Sequence, residues 1–324
     1  MTTAHAPSAH LHVKLDSGAD GGGEPLIRFE FGDASPDPRR VPCAHLAGPA
    51  TESWYAGAIG ESADTCGAAW AHGQRYAYCA LSVDEAGGDI ESAAACAYQR
   101  LLTCVRPSAH PYLLRVWNYF TAINEGQDDD ERYRRFCVGR ARAVDGMFND
   151  PPPAATAIGT VRAAGAPARV QLIALCANTP ATALENPRQT PAWRYPREYG
   201  PVSPGFSRGA LLDTDTATPR LLASGTASIV GHISQHAGDT AAQLRESLGN
   251  LAALLDEGQQ RSGRRFELSG CESLRVYLRQ PRDLAVAQAV IAGSGLSAKR
   301  VLYLRGDVCR RELDVEVEGV FAAR

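Results

Sequence analysis

The chain has 324 residues, 44% hydrophobic and 21% charged, the balance of a soluble globular protein long enough for two domains. Its 33 Lys and Arg against 36 Asp and Glu give a net charge of -3, so there is no general basic field for nucleic acid or an anionic membrane surface. No run approaches the roughly 20 apolar residues that span a bilayer. Any bound anion therefore has to be held by arginines placed locally. Residues 1–10 lack a basic start followed by an apolar stretch and read as no signal peptide. Nine cysteines, none in a Cys-x-x-Cys pair, suit free thiols in a reducing cytoplasm.

Residues 1–40 are polar apart from a short strand at 26–31, and Gly21–Gly23 reads as a turn. From there one plan occurs twice. In the first copy a strand at 75–83 precedes a helix capped by Asp89, with Ile90, Ala94, Tyr98 and Leu101 on one side. A strand at 112–120, a helix from about 130 to 144, a Pro151–Pro153 break and paired strands near 157–162 and 169–176 complete it. In the second copy a strand at 221–230 precedes a helix after Asp239 with Leu244, Leu248, Leu251 and Leu255 at helical spacing. Then come a strand at 274–279, a helix over 282–291, a strand at 301–305 and a terminal strand. Each copy predicts a mixed sheet with helices on one face. The whole is α+β, with domains at 1–180 and 181–324.

The copies differ where chemistry would sit. The first ends in a strand, 169–176, without a carboxylate, whereas the last strand carries Asp314, Glu316 and Glu318. Alternation puts these three on one face beside Cys309, Arg310 and Arg311, either as a solvated face or as a proton donor next to an anion site. Tyr133 and Arg140 lie seven apart, two turns along one helix face. Tyr195 and Arg208 bracket a segment stiffened by Pro196, Pro201 and Pro204. His232 and His236 have helical spacing but stand before the Asp239 cap and lack the His-Glu-x-x-His pattern, so no metal is expected.

Three segments resemble the chorismatases: Tyr195-Pro-Arg-Glu-Tyr-Gly-Pro through Arg208, Ser224-Gly-Thr-Ala-Ser-Ile-Val-Gly-His, and 307–318. The likeness runs from about residue 40 to the end, and Cys309 stands where the hydroxybenzoate-forming branch has a cysteine. The resemblance implies two RidA/YjgF-like domains and a cofactor-free reaction on chorismate that releases pyruvate and a hydroxybenzoate, 3-hydroxybenzoate or also 4-hydroxybenzoate. It makes Glu316 the general acid and Cys309 a residue that keeps the product on the aromatising route. Tyr133, Arg140, Tyr195 and Arg208 become substrate ligands, with Tyr199 nearby. Glu318 and Asp314 are left as support or solvent-facing, and Gly225, Ala227 and Ser228 as pocket lining. The alternatives are a chorismate hydrolase giving a dihydroxycyclohexadiene carboxylate, a RidA-like imine deaminase using Arg300, and a binding protein without turnover. The related fold commonly forms trimers, so a homotrimer stays open.

Overall fold

The computed structural model describes residues 10–16, 23–32, 35–60, 63–65, 67–144, 146–149, 151–162, 165 and 167–324. Residues 1–9, on which the signal-peptide reading rests, lie outside them, as do Gly21 and Gly22. The amino-terminal part supplies β1 (His12–Leu15), β2 (Ile27–Glu30), β3 (His45–Ala47) and β4 (Thr51–Tyr55). The first copy follows as β5 (Ala63–Thr65), β6 (Ala68–His72), β7 (Tyr76–Asp84), α1 (Ile90–Val105), β8 (Tyr112–Thr121), α2 (Arg132–Ala143), α3 (Gly146–Asn149), β9 (Ala154–Thr160) and β10 (Arg169–Ala177). The second comprises β11 (Thr182–Leu184), β12 (Gly209–Leu212), β13 (Arg220–Ala227), β14 (Ile229–Val230), β15 (Ile233–Ser234), α4 (Thr240–Ser262), β16 (Cys271–Leu278), α5 (Leu284–Ala292), β17 (Val301–Arg305) and β18 (Val315–Ala322).

Local signals explain the long helices. Asp89 accepts from the amides of Glu91 and Ser92, and Asp239 from that of Ala242, satisfying donors the first turn leaves open. Leu244, Leu248, Leu251 and Leu255 are buried along one side of α4, which ends at Gly263 with a φ of 67°.

The doubled plan is present in the topology. The first sheet runs β5-β6-β7-β10-β8-β9 and the second β11-β12-β13-β18-β16-β17-β3. The central four strands match, β7-β10-β8-β9 with β13-β18-β16-β17, and the parallel neighbours β8–β9 and β16–β17 occupy equivalent places. The expected pairing of the 157–162 and 169–176 strands is corrected. The helical crossover after β8 lays β9 outside it, and the returning β10 fills the slot between β7 and β8. For the same reason β16 separates β17 from β18. β3 joins the second sheet beside β17 although it precedes the whole first copy.

α1 packs on one face of the first sheet and α4 on the corresponding face of the second, each over its own apolar layer. The other faces look inward. There Phe29 and Trp54 of the three-stranded sheet β1-β4-β2 meet Trp117 and Ile173 from the first sheet and Leu222, Tyr277 and Leu302 from the second. In β18, Val315, Val317 and Phe321 belong to the apolar layer beneath α4, while Glu316 and Glu318 are buried on the opposite, inward side. Asp314 precedes the strand and remains partly exposed, 4.0 Å from Arg279, so the expected row of three acids is a pair.

Candidate active site

A cavity of about 310 Å³ opens between the two halves. Tyr133, Arg140, Tyr195, Arg208, Cys309 and Glu316 all line it. α2 supplies Tyr133 and Arg140 from one face. Its Gly139 lies so close to α1 that a Cβ there would overlap the carbonyl of Glu91, which seats the helix at short range. The proline-rich connection forms the opposite wall and is bound across the gap, because Arg140 Nη1 donates to the carbonyl of Gly205 at 2.5 Å. A Cβ at Gly205 would collide with that guanidinium. Arg208 Nη2 donates to Tyr195 Oη at 2.7 Å and to the carbonyl of Thr190 at 3.0 Å, fixing the tyrosine against its own segment.

Glu316 projects into this space from β18 and is 4% exposed. Among the described residues no group hydrogen-bonds its carboxyl. Burial raises its pKa to about 8 and neighbouring Glu318 adds to the rise, while Arg208 and Arg115 offset only part of it. Glu316 is therefore mostly protonated at neutral pH. Opposite it, β13 carries a bulge between Ala223 and Thr226. The bulge brings the Gly225 amide to Thr156 Oγ1 at 2.9 Å and its Cα beside the acid, where a Cβ would overlap Glu316 Oε1.

Glu318, two residues on, has the opposite surroundings. Arg115 donates to it at 2.5 Å and Arg275 at 3.1 Å, with Tyr277 Oη at 2.8 Å, Trp117 Nε1 at 3.0 Å and the Thr156 hydroxyl completing the shell. Burial alone would raise its pKa, but Arg115 and then Arg275, with hydrogen bonds from Thr156 and Tyr277, hold it below the usual glutamate value. Arg275 is shared with buried Glu52 at 2.6 Å. Two arginines thus meet two carboxylates in a closed ionic layer behind the cavity. Arg115 and Arg275 stand at equivalent places in β8 and β16, each within a Leu-Arg-Val triplet.

Cys309 lies next to Glu316, and its thiol is raised to about 12, mainly by burial and further by that carboxyl, so it stays neutral. Gly225 and Ala227 line the cavity as expected, but Ser228 does not, its hydroxyl donating instead to the carbonyl of Gln235. His232 packs edge-on against Tyr199 and His236 lies 3.3 Å from Glu246, in separate settings. Arg300, the residue the deaminase reading needs, is exposed in a short turn away from the cavity. Among the lining residues that went unassigned in the sequence are Asn118, Thr156, Phe206 and Arg310. Of these only Arg310 had a readable signal, its place in a basic pair next to Cys309.

Comparison with known proteins places the chain among relatives. A family model described as "Chorismatase FkbO/Hyg5-like, N-terminal" matches residues 52–176. A chorismatase of Streptomyces rapamycinicus is 38% identical over 278 residues, covering 84% of this chain and 82% of the relative. A 3-hydroxybenzoate synthase of Streptomyces hygroscopicus is 32% identical over 286 residues, covering 86% of this chain and 83% of that one. A crystal structure of a chorismatase superposes with a TM-score of 0.82 at 32% identity, over 96% of this chain and 98% of the other. The fold and the shared sequence define an enzyme. The chain belongs to the chorismatase family.

Proposed function

We propose that the protein cleaves the enolpyruvyl ether of chorismate to pyruvate and a hydroxybenzoate, with Glu316 as the general acid. The observation that carries this reading is a buried, largely protonated carboxyl facing a cavity where arginines keep unpartnered donors. An enol ether is protonated at carbon only by a strong acid held at the methylene, and a carboxyl in low dielectric supplies one near neutral pH. The proton passes from Glu316 to the methylene carbon, and the C=C pair forms the new C–H bond and leaves an oxocarbenium at the ether carbon. Water adds there, the hemiketal collapses, and pyruvate departs with the ring oxygen retained by the ring. Loss of one water and aromatisation then give the hydroxybenzoate, so no water is consumed overall. Stopping at the dihydroxycyclohexadiene consumes one water instead.

Chorismate carries two carboxylates, and guanidinium forks are their natural partners. Arg140 and Arg208 take them while Tyr133 and Tyr195 orient the ring. Cys309, small and neutral, bounds the ring beside the acid and favours the aromatising route. The name of the Streptomyces hygroscopicus relative supports 3-hydroxybenzoate as the product. The test uses purified protein and chorismate alone in deuterated water. Pyruvate with one deuterium in its methyl group is expected, with 3-hydroxybenzoate as the main aromatic product by chromatography. Absence of pyruvate would sink the reading, and a diene-only product would remove the role given to Cys309.

A further inference from the structure

Five guanidinium groups line the cavity, and their states differ. Arg134 is engaged by Glu131 at 3.6 Å and Asp129 at 3.8 Å, and Arg311 by the carbonyls of Asn124 and Gly126. Arg140 and Arg208 each keep a buried Nε without a partner, and Arg310 keeps a buried Nη2. Among the described residues none of these three has a carboxylate within ion-pair distance. A charged donor buried without an acceptor is costly, so three around one cavity mark where an anion's oxygens are received.

Arg310 is the most firmly placed of the three. Its Nη1 donates to the carbonyl of His232 at 2.8 Å and to Ser234 Oγ at 3.0 Å. The guanidinium carbon lies over the ring of Tyr199, 4.1 Å from its centroid, and over that of Tyr195 at 5.2 Å. Tyr195 in turn receives Arg208, so one tyrosine links two cations. Only a planar guanidinium can stack by its face, anchor by one edge and leave another nitrogen free. A lysine keeps the charge and loses the rest.

We propose that Arg310 is a third substrate-holding residue, which together with Arg140 and Arg208 makes the cavity select a dicarboxylate over a monocarboxylate. The inference rests on the dianionic substrate of the proposed function. A monocarboxylate engages part of this cationic set, whereas the second carboxylate needs the remaining unpartnered nitrogen.

The test is equilibrium binding by calorimetry in Glu316→Gln protein, which keeps the cavity while removing the acid, with chorismate and 3-hydroxybenzoate as the two probes. Adding Arg310→Gln is expected to weaken chorismate about 10- to 100-fold, the scale of a hydrogen bond to a charged group, and 3-hydroxybenzoate by less than about threefold. Arg310→Lys should lose less chorismate affinity than Arg310→Gln, and it carries the same comparison if the glutamine variant does not fold. Unchanged chorismate binding, or equal weakening of both ligands, overturns the proposal. Arg310-dependent chorismate binding without pyruvate release by the parent protein would end the cleavage reading and leave this one standing. Pyruvate release indifferent to Arg310 would do the reverse.

Discussion

Glu316 and Glu318 occupy the same strand face, two residues apart and equally buried, yet their surroundings push them in opposite directions. Glu318 has two guanidiniums, a phenol, an indole and a hydroxyl around it and is held as a carboxylate. Glu316 has an open cavity, a glycine and the charge of Glu318 itself, and keeps its proton. The difference lies in what surrounds each side chain, since the residue type and the strand are the same. A fixed negative charge sits one pleat behind the acid and discourages its ionisation. Structure and proposed chemistry thus share one strand without competing.

The contrast can be broken at either residue. Glu316→Gln should lower pyruvate release by about 10²- to 10⁴-fold, the usual range for a general acid, with the fold intact by circular dichroism. Its effect on stability has a definite sign. The raised pKa means that the folded state keeps a proton the unfolded chain would lose, so the parent's stability declines as pH rises from about 4.5 to about 8 and levels off above. The glutamine variant should therefore gain most over the parent at pH 9, less at pH 6, and little at pH 4.

Glu318→Gln should act chiefly on stability. It strands Arg115 and part of Arg275 in an apolar layer, and denaturant titration should show a loss of about 3–5 kcal/mol. A well-folded Glu318→Gln protein of parental stability would contradict the ionic layer described above.

Gly225→Ala tests the gap between the two environments. The added Cβ has to displace the Glu316 carboxyl or the β13 bulge, and a shift of about 1 Å in a catalytic group costs roughly 10²-fold in kcat. KM should move less.

The mildest perturbation concerns Cys309 and pH together. The kcat profile should fall above about pH 8 as Glu316 ionises, because the protonated form is the active one. The thiol titrates only near 12, so Cys309→Ala should leave the position of that limb almost unchanged while altering the product ratio measured by chromatography.

Much of the fold was legible because periodicity reports which face of an element is buried. The stripe along α4 and the caps at Asp89 and Asp239 are local, and the duplicated order of elements follows from them. Strand neighbours were not legible, because alternation says nothing about which strand lies alongside. β9 and β10 read as a hairpin until the crossover helix is given its place. The six site residues on four separate segments do gather at one cavity, and it was the motif around Tyr195 and the acid strand that pointed to them. The ionic layer stayed hidden for a different reason. Arg115 and Arg275 each sit between apolar neighbours, as a solvent-facing strand residue would, and Arg115 meets its carboxylate partner only across 203 positions of chain. Glu52, for its part, lay between residue 40 and the first repeat's strand at 75–83, where no element was assigned.

Those matched arginines also bear on how the molecule came by its lopsided design. In the first copy the place corresponding to Glu318 is held by Leu175, and that of Glu316 by Ile173, so cations stand in both repeats while the acids stand in one. The first repeat does not neutralise its own cation: Arg115 meets Glu318 of the second, while Arg275 is shared by that same Glu318 and by Glu52 of the amino-terminal part. Parted from the second repeat, the first would be left with a buried guanidinium and no carboxylate to meet it.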